Sequence, residues 1–329
     1  MPGWGDILRE IGESASQGSA GPDFDLIRRK YLTELHAHTG RNVVLYATDF
    51  LGAQANPANT SITLQDMQGL MECFRDLPGP SLDLILHSPG GSPEAANSLV
   101  SYMRSKYEDV RVFVPLAAMS AATMWALSAN VIVMGKHSQL GPIDPQLVTG
   151  GRAMPARALI RQFERAAEEC SNDATRLSVW LPILQQYAPG LLEVCAQYEE
   201  LGRELVKEWL RSYMLAADPD RDQKSEAIAK YFADADLHKA HGRGIDRDHA
   251  RAQGVIVEDL EDDQVLQDLV LSVFHATTQT FGGTGAVKII ENHIGRAFAV
   301  QQMAVNVGPM MTPPGGFLHM QPVPLGSIP

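Results

Sequence analysis

Two kinds of hydrophobic pattern alternate along this chain. Residues 42–47, 82–87, 110–115 and 130–134 are short, nearly unbroken apolar runs, a pattern that predicts strands covered on both faces. Between and before them, apolar residues recur every three or four positions. One such helix is expected over 26–36. Another carries Leu64, Met67, Leu70, Met71 and Phe74, opens on Thr63 with Asp66 three residues on, and is stopped by Pro78-Gly79-Pro80. Ser92-Pro93-Glu94 supplies an N-cap, a first-turn proline and a first-turn acid for a third. Ser120 opens a fourth, between the last two strands. Strands alternating with helices of this length predict βαβ units building a parallel sheet.

From 152 to 215 the pattern is helical, broken at Pro182 and at Pro189-Gly190, and Asp218-Pro219-Asp220 closes it. Leu192, Val194, Cys195, Tyr198, Leu201, Leu205 and Trp209 form a stripe that needs a covering surface, so the segment is expected to pack, to oligomerise or to act as a lid. Five regions are expected: a flexible arm over 1–22, an α/β core over 23–151, a helical insertion over 152–222, completion of the core over 223–281, and an extension over 282–329. Gly282-Gly283-Thr284-Gly285 is read as a linker. Past about Val307, proline and glycine are too frequent for a packed core, which predicts a disordered tail.

Composition narrows the function classes. The 329 residues, 45% hydrophobic, suffice for a sizeable core. A formal charge of −12 argues against nucleic-acid binding, which requires clustered Lys and Arg. Cys73, Cys170 and Cys195 lack Cys-x-x-Cys spacing and suit reduced thiols, hence a cytoplasmic location. No secretory signal is evident, and no run reaches the roughly 18 apolar residues of a membrane span. Neither a His-Glu-x-x-His motif nor a Gly-x-Gly-x-x-Gly fingerprint occurs, so neither metal nor cofactor is expected.

Two strand ends carry the candidate chemistry. The run 82–87 leads into Ser88-Pro89-Gly90-Gly91-Ser92, and the run 110–115 leads into Leu116-Ala117-Ala118-Met119-Ser120-Ala121-Ala122. A serine at a helix mouth sits at the positive end of the helix dipole, beside unpaired N–H groups such as that of Ala121. The N–H groups of Gly90 and Gly91 offer further donors for an oxyanion, and such donors contribute roughly 3 kcal/mol each. An N-capping serine and a tight Pro-Gly-Gly turn are the structural alternatives. Both motifs falling at ends of parallel strands favours catalysis.

Leu84–Ser92, Val114–Ala122 and Met134-Gly135-Lys136-His137-Ser138-Gln139-Leu140-Gly141-Pro142-Ile143-Asp144-Pro145-Gln146 resemble the serine dehydrogenase proteinase family, of the Clp-protease/crotonase-type fold and related to the Clp proteolytic subunit and signal peptide peptidase A. The resemblance implies a homo-oligomeric peptidase acting on a peptide or protein substrate, with Ser120 as nucleophile and a Ser–Asp–His chain order. Asp144, held between prolines, is then the orienting acid, and His241 the base. His238 and Lys136 are the alternative bases, and His87 and His137 border the site in sequence. Gly282–Gly285 lacks the lysine of a phosphate loop, so the chain shows no ATPase motor of its own; whether a separate ATPase serves it is open. A crotonase-type acyl-CoA enzyme and a non-catalytic assembly or adaptor protein are the competing readings on the same scaffold.

Overall fold

The computed structural model describes residues 3–15, 21–52, 56–149 and 152–302. Helices α1 (Trp4–Ser14) and α2 (Phe24–Thr39) precede strand β1 (Asn42–Thr48), which is buried along its whole length. Helices α3 (Pro57–Thr60) and α4 (Asp66–Cys73) lead to β2 (Ser81–His87), α5 (Pro93–Arg104) and β3 (Asp109–Val114). The short β4 (Ala117–Ala118), α6 (Ala121–Leu127), β5 (Val131–Met134) and β6 (Gln139–Leu140) follow. A hairpin of β7 (Gln146–Thr149) and β8 (Arg152–Pro155) opens the helical region of α7 (Ala156–Asn172), α8 (Leu177–Leu184), α9 (Leu191–Ser212), α10 (Arg221–Ala233) and α11 (Ala235–His238). The chain then returns through α12 (Arg247–Ala252), β9 (Val257–Asp259), α13 (Gln264–Gly283), β10 (Ala286–Asn292) and β11 (Ala297–Gln301).

Among the described residues the main sheet has seven strands in the order β11-β10-β1-β2-β3-β5-β9. The five from β1 to β9 run parallel, and β10 and β11 close one edge antiparallel. Register explains the continuous apolar runs. Val44, Leu84, Val112 and Ile132 are successive partners across the sheet and pack against α4, α5, α6, α9 and α10. Their neighbours Val43, Ile85, Phe113 and Val133 point to the opposite face, under α1, α2 and α13. Both faces are therefore dry, as a parallel sheet requires.

Three expectations are corrected. Within the supposed flexible arm, residues 4–14 are helical, and Ile7 and Ile11, one turn apart, are buried against the α2–α13 layer. The glycines at 282–285 link no extension: they turn α13 into β10, whose seven residues are all buried and pair with β1. The helical insertion begins with a strand, since β8 pairs with β7 across the expected boundary. The tail expected beyond Val307 lies outside the described residues.

Candidate active site

The carboxyl ends of β2 and β3 converge. Beyond His87 and Val114 the two chains stay paired, through Ser88 N–H to Ala117 O (3.1 Å) and Met119 N–H to Ser88 O (2.9 Å). This second pairing carries residues 117–119 straight into the mouth of α6 with no room for a relaxed turn. Ser120 therefore adopts φ 52°, ψ −121°, a region that disfavours any side chain. Its hydroxyl makes no capping bond to the helix it precedes. The capping role open to Ser120 is thus unfilled, and the hydroxyl faces a cavity.

Gly90 is what lets the two turns meet. At φ +94° it lies so close that a Cβ would stand 2.8 Å from both Ala121 N and Ser120 Cβ. Its N–H donates to Ser88 Oγ at 3.2 Å, so it is already committed. Gly91 N–H and Ala121 N–H have no partner among the described residues.

Asp144 is buried and bonded on both oxygens. Oδ1 accepts from His241 Nδ1 at 2.8 Å and Oδ2 from the Gln146 amide at 2.8 Å. Neither bond is to its own backbone, so the side chain does not close an Asx turn. Local anchors explain how residues 97 positions apart meet. Gly141 N–H donates to Thr123 Oγ1 (2.9 Å), which itself donates to Ala118 O (2.7 Å), tying the 141–145 loop to α6. Leu140 and Ile245 exchange two backbone hydrogen bonds (2.9 and 2.8 Å), which bring the His241 loop alongside.

Ser120, Gly90, Gly91, Ala121 and His241 line one cavity of about 570 Å³. Its remaining wall is largely apolar, with Met124, Ile143, Leu147 and Leu191, and Tyr198 and Gly202 of α9 face it from the helical insertion. No hydrogen bond joins Ser120 to His241. The other sequence candidates do not line the cavity. His238 is buried with Nε2 on Tyr231 O (2.7 Å), and its ring stands edge-on to Tyr231. Lys136 is exposed, its backbone N–H donating to Glu261 (2.8 Å). His137 is exposed. His87 is buried between Phe50 and Phe274 against Ala117 O, and burial pushes its imidazole down to about 4. Sequence reasoning missed the segment 61–63, which pairs with Gly90–Ser92 by an isolated bridge too short to leave a periodic signal.

The fold thus sets a serine at a strained turn beside a glycine turn, at the carboxyl ends of neighbouring parallel strands. Residues 23–185, about half of the chain's length, match the ClpP-like SDH-type serine proteinases. The match covers Ser120 and Asp144 and ends before His241. The chain is 31% identical over 153 residues to the uncharacterized protein MJ0137 of Methanocaldococcus jannaschii, covering 46% of this chain and 52% of that protein. It is 27% identical over 212 residues to the uncharacterized protein MJ1495 of the same organism, covering 62% of each. It thus spans about half to three fifths of the length of these curated relatives. Among solved structures it is similar to two mutants of the 1510-N membrane-bound stomatin-specific protease. One shares 17% identity at TM-score 0.38, covering 64% of this chain and 79% of that one. The other, in complex with a substrate peptide, shares 16% at 0.36, covering 60% and 71%. No helix among the described residues is long and apolar enough to cross a membrane.

Proposed function

We propose that this protein is a serine peptidase in which Ser120, His241 and Asp144 act together. The observation that carries this reading is a serine hydroxyl without a partner among the described residues, held at positive φ, opening onto the same cavity as an imidazole already bonded to a buried carboxylate. With Nδ1–H donating to Asp144, the other ring nitrogen of His241 is left as acceptor. In the reaction Ser120 Oγ forms a bond to the scissile carbonyl carbon and its proton passes to His241 Nε2. The carbonyl oxygen takes up the electron pair and is held by Gly91 and Ala121 N–H. Collapse breaks the C–N bond, and Nε2 returns the proton to the leaving amine. Water, deprotonated by the same nitrogen, then releases the acyl group.

Gly90 contributes closeness here, because its own N–H is engaged by Ser88. The apolar wall of Met124, Ile143 and Leu147 suits an apolar substrate side chain. A crotonase-type acyl-CoA enzyme or a non-catalytic adaptor leaves both the strained serine and the His241–Asp144 pair without a role. The test is covalent labelling with a fluorophosphonate. Labelling at Ser120 should vanish in Ser120→Ala and in His241→Ala, and should fall about 10³–10⁴-fold in Asp144→Asn. Labelling that persists in Ser120→Ala, or that ignores loss of His241, refutes the assignment.

A further inference from the structure

We infer that Lys288 and Asp66 form a buried positioning pair that aims the Gly91 N–H at the reacting carbonyl, an inference that rests on the peptidase reading above. Lys288 lies on β10, in the part of the chain that the sequence pattern assigns to an extension. Its ammonium is 2% exposed and Asp66 is 1% exposed. Nζ donates to Asp66 Oδ1 at 2.7 Å and to the backbone oxygen of Ser61 at 2.8 Å. Asp66 Oδ2 accepts from Tyr46 O–H (2.7 Å) and from Thr63 N–H (2.9 Å). The pair therefore grips the chain on both sides of Ile62.

Ile62 in turn holds the glycine turn. Its N–H donates to Gly90 O at 2.7 Å, and its own oxygen accepts from Ser92 N–H at 3.0 Å. Gly90 C=O and Gly91 N–H belong to one planar trans peptide, so the two groups point in opposite directions. Fixing the carbonyl on Ile62 sends the N–H the other way, toward the cavity. The fit leaves no slack: a Cβ on Gly91 would stand 2.3 Å from Ile62 O. Burial also penalises the lysine charge and lowers its affinity for a proton. A buried ion pair is a weak source of net stability, and an apolar pair could fill the same space. Control of a peptide that supplies one of the two oxyanion donors accounts for its presence better.

The full-length chain is labelled with a fluorophosphonate over a range of probe concentrations, as wild type, as Lys288→Met, and as Lys288→Met combined with Asp66→Asn. The double variant leaves no lone buried charge, so it decides the matter even where the single variant does not fold. Misaiming one donor should lower the saturating labelling rate about 10–100-fold while the half-saturating probe concentration stays put. The double variant should regain thermal stability yet remain slow. A wild-type rate in the folded single or double variant, or a rate that returns together with stability, overturns the inference and leaves a purely structural pair. Wild type that is never labelled at Ser120 removes the peptidase reading and this inference with it. Labelling of wild type and variants alike removes this inference alone.

Discussion

Ser120 is the non-glycine residue at φ 52°, ψ −121°, and replacing it with glycine separates backbone strain from chemistry. Holding a side chain in such a region costs about 1–3 kcal/mol. Alanine keeps the Cβ and hence the strain, and loses only a hydroxyl that makes no hydrogen bond to the helix it precedes. Glycine removes the strain but adds about 0.5–1 kcal/mol of entropy to the unfolded chain. The net expectation is that Ser120→Gly is more stable than Ser120→Ala by about 1 kcal/mol, with a melting temperature higher by about 1–3 °C. Both variants lack the hydroxyl, so its chemistry cannot bias the comparison. Thermal and urea denaturation of the two full-length proteins under one buffer measure it. A Ser120→Gly protein that melts below Ser120→Ala would show that no strain is stored at this turn, and the account of how β4 forces the hydroxyl outward would fail.

Three more outcomes follow from the geometry. Gly90→Ala places a methyl group 2.5 Å from Met119 O and should cost about 1–3 kcal/mol while slowing labelling at least about 100-fold, read by denaturation and by probe kinetics on the same sample. For His87, the folded imidazole sits at about 4 against an ordinary 6.5, so the unfolded chain binds the proton first as pH falls. Its contribution is complete above pH 6.5 and is lost on the way down through 4, about 2 kcal/mol of it between pH 7 and pH 5; urea melts should show His87→Phe shrinking that loss, and an equal loss in both proteins refutes it. Gly202, inside α9 and facing the cavity, has only Ile143 O at 3.8 Å from a prospective Cβ. Gly202→Ala should stabilise the helix by about 1 kcal/mol, whereas Gly202→Leu should raise KM for peptides and leave labelling by a small probe unchanged.

Much of the layout was legible. Unbroken apolar runs identified β1, β2, β3 and β5 because strands buried on both faces have no polar side to show. The Pro-Gly-Gly turn and Ser120 were legible because glycine and small residues are required where two chain turns nearly touch. The pairing of Asp144 with His241 was reached by resemblance, since nothing local links residues 97 apart. The helix at 4–14 and the strands β10 and β11 were misread for a common reason. Each is short or flanked by glycine and polar residues, and α1 and β10 depend on partners far away in sequence: α1 packs on α13, and β10 pairs with β1 and in turn carries β11.

Local chemistry thus determined the central strands β1, β2, β3 and β5 and the residue types that stood at their ends. It could not determine which ends would meet. The left-handed turn at Ser120, the freeing of Gly91 N–H and the pairing of Asp144 with His241 rather than His238 arise from long-range hydrogen bonds and close packing. Those interactions exist only once the sheet has brought distant segments into contact, and side-chain identity alone carries no record of them.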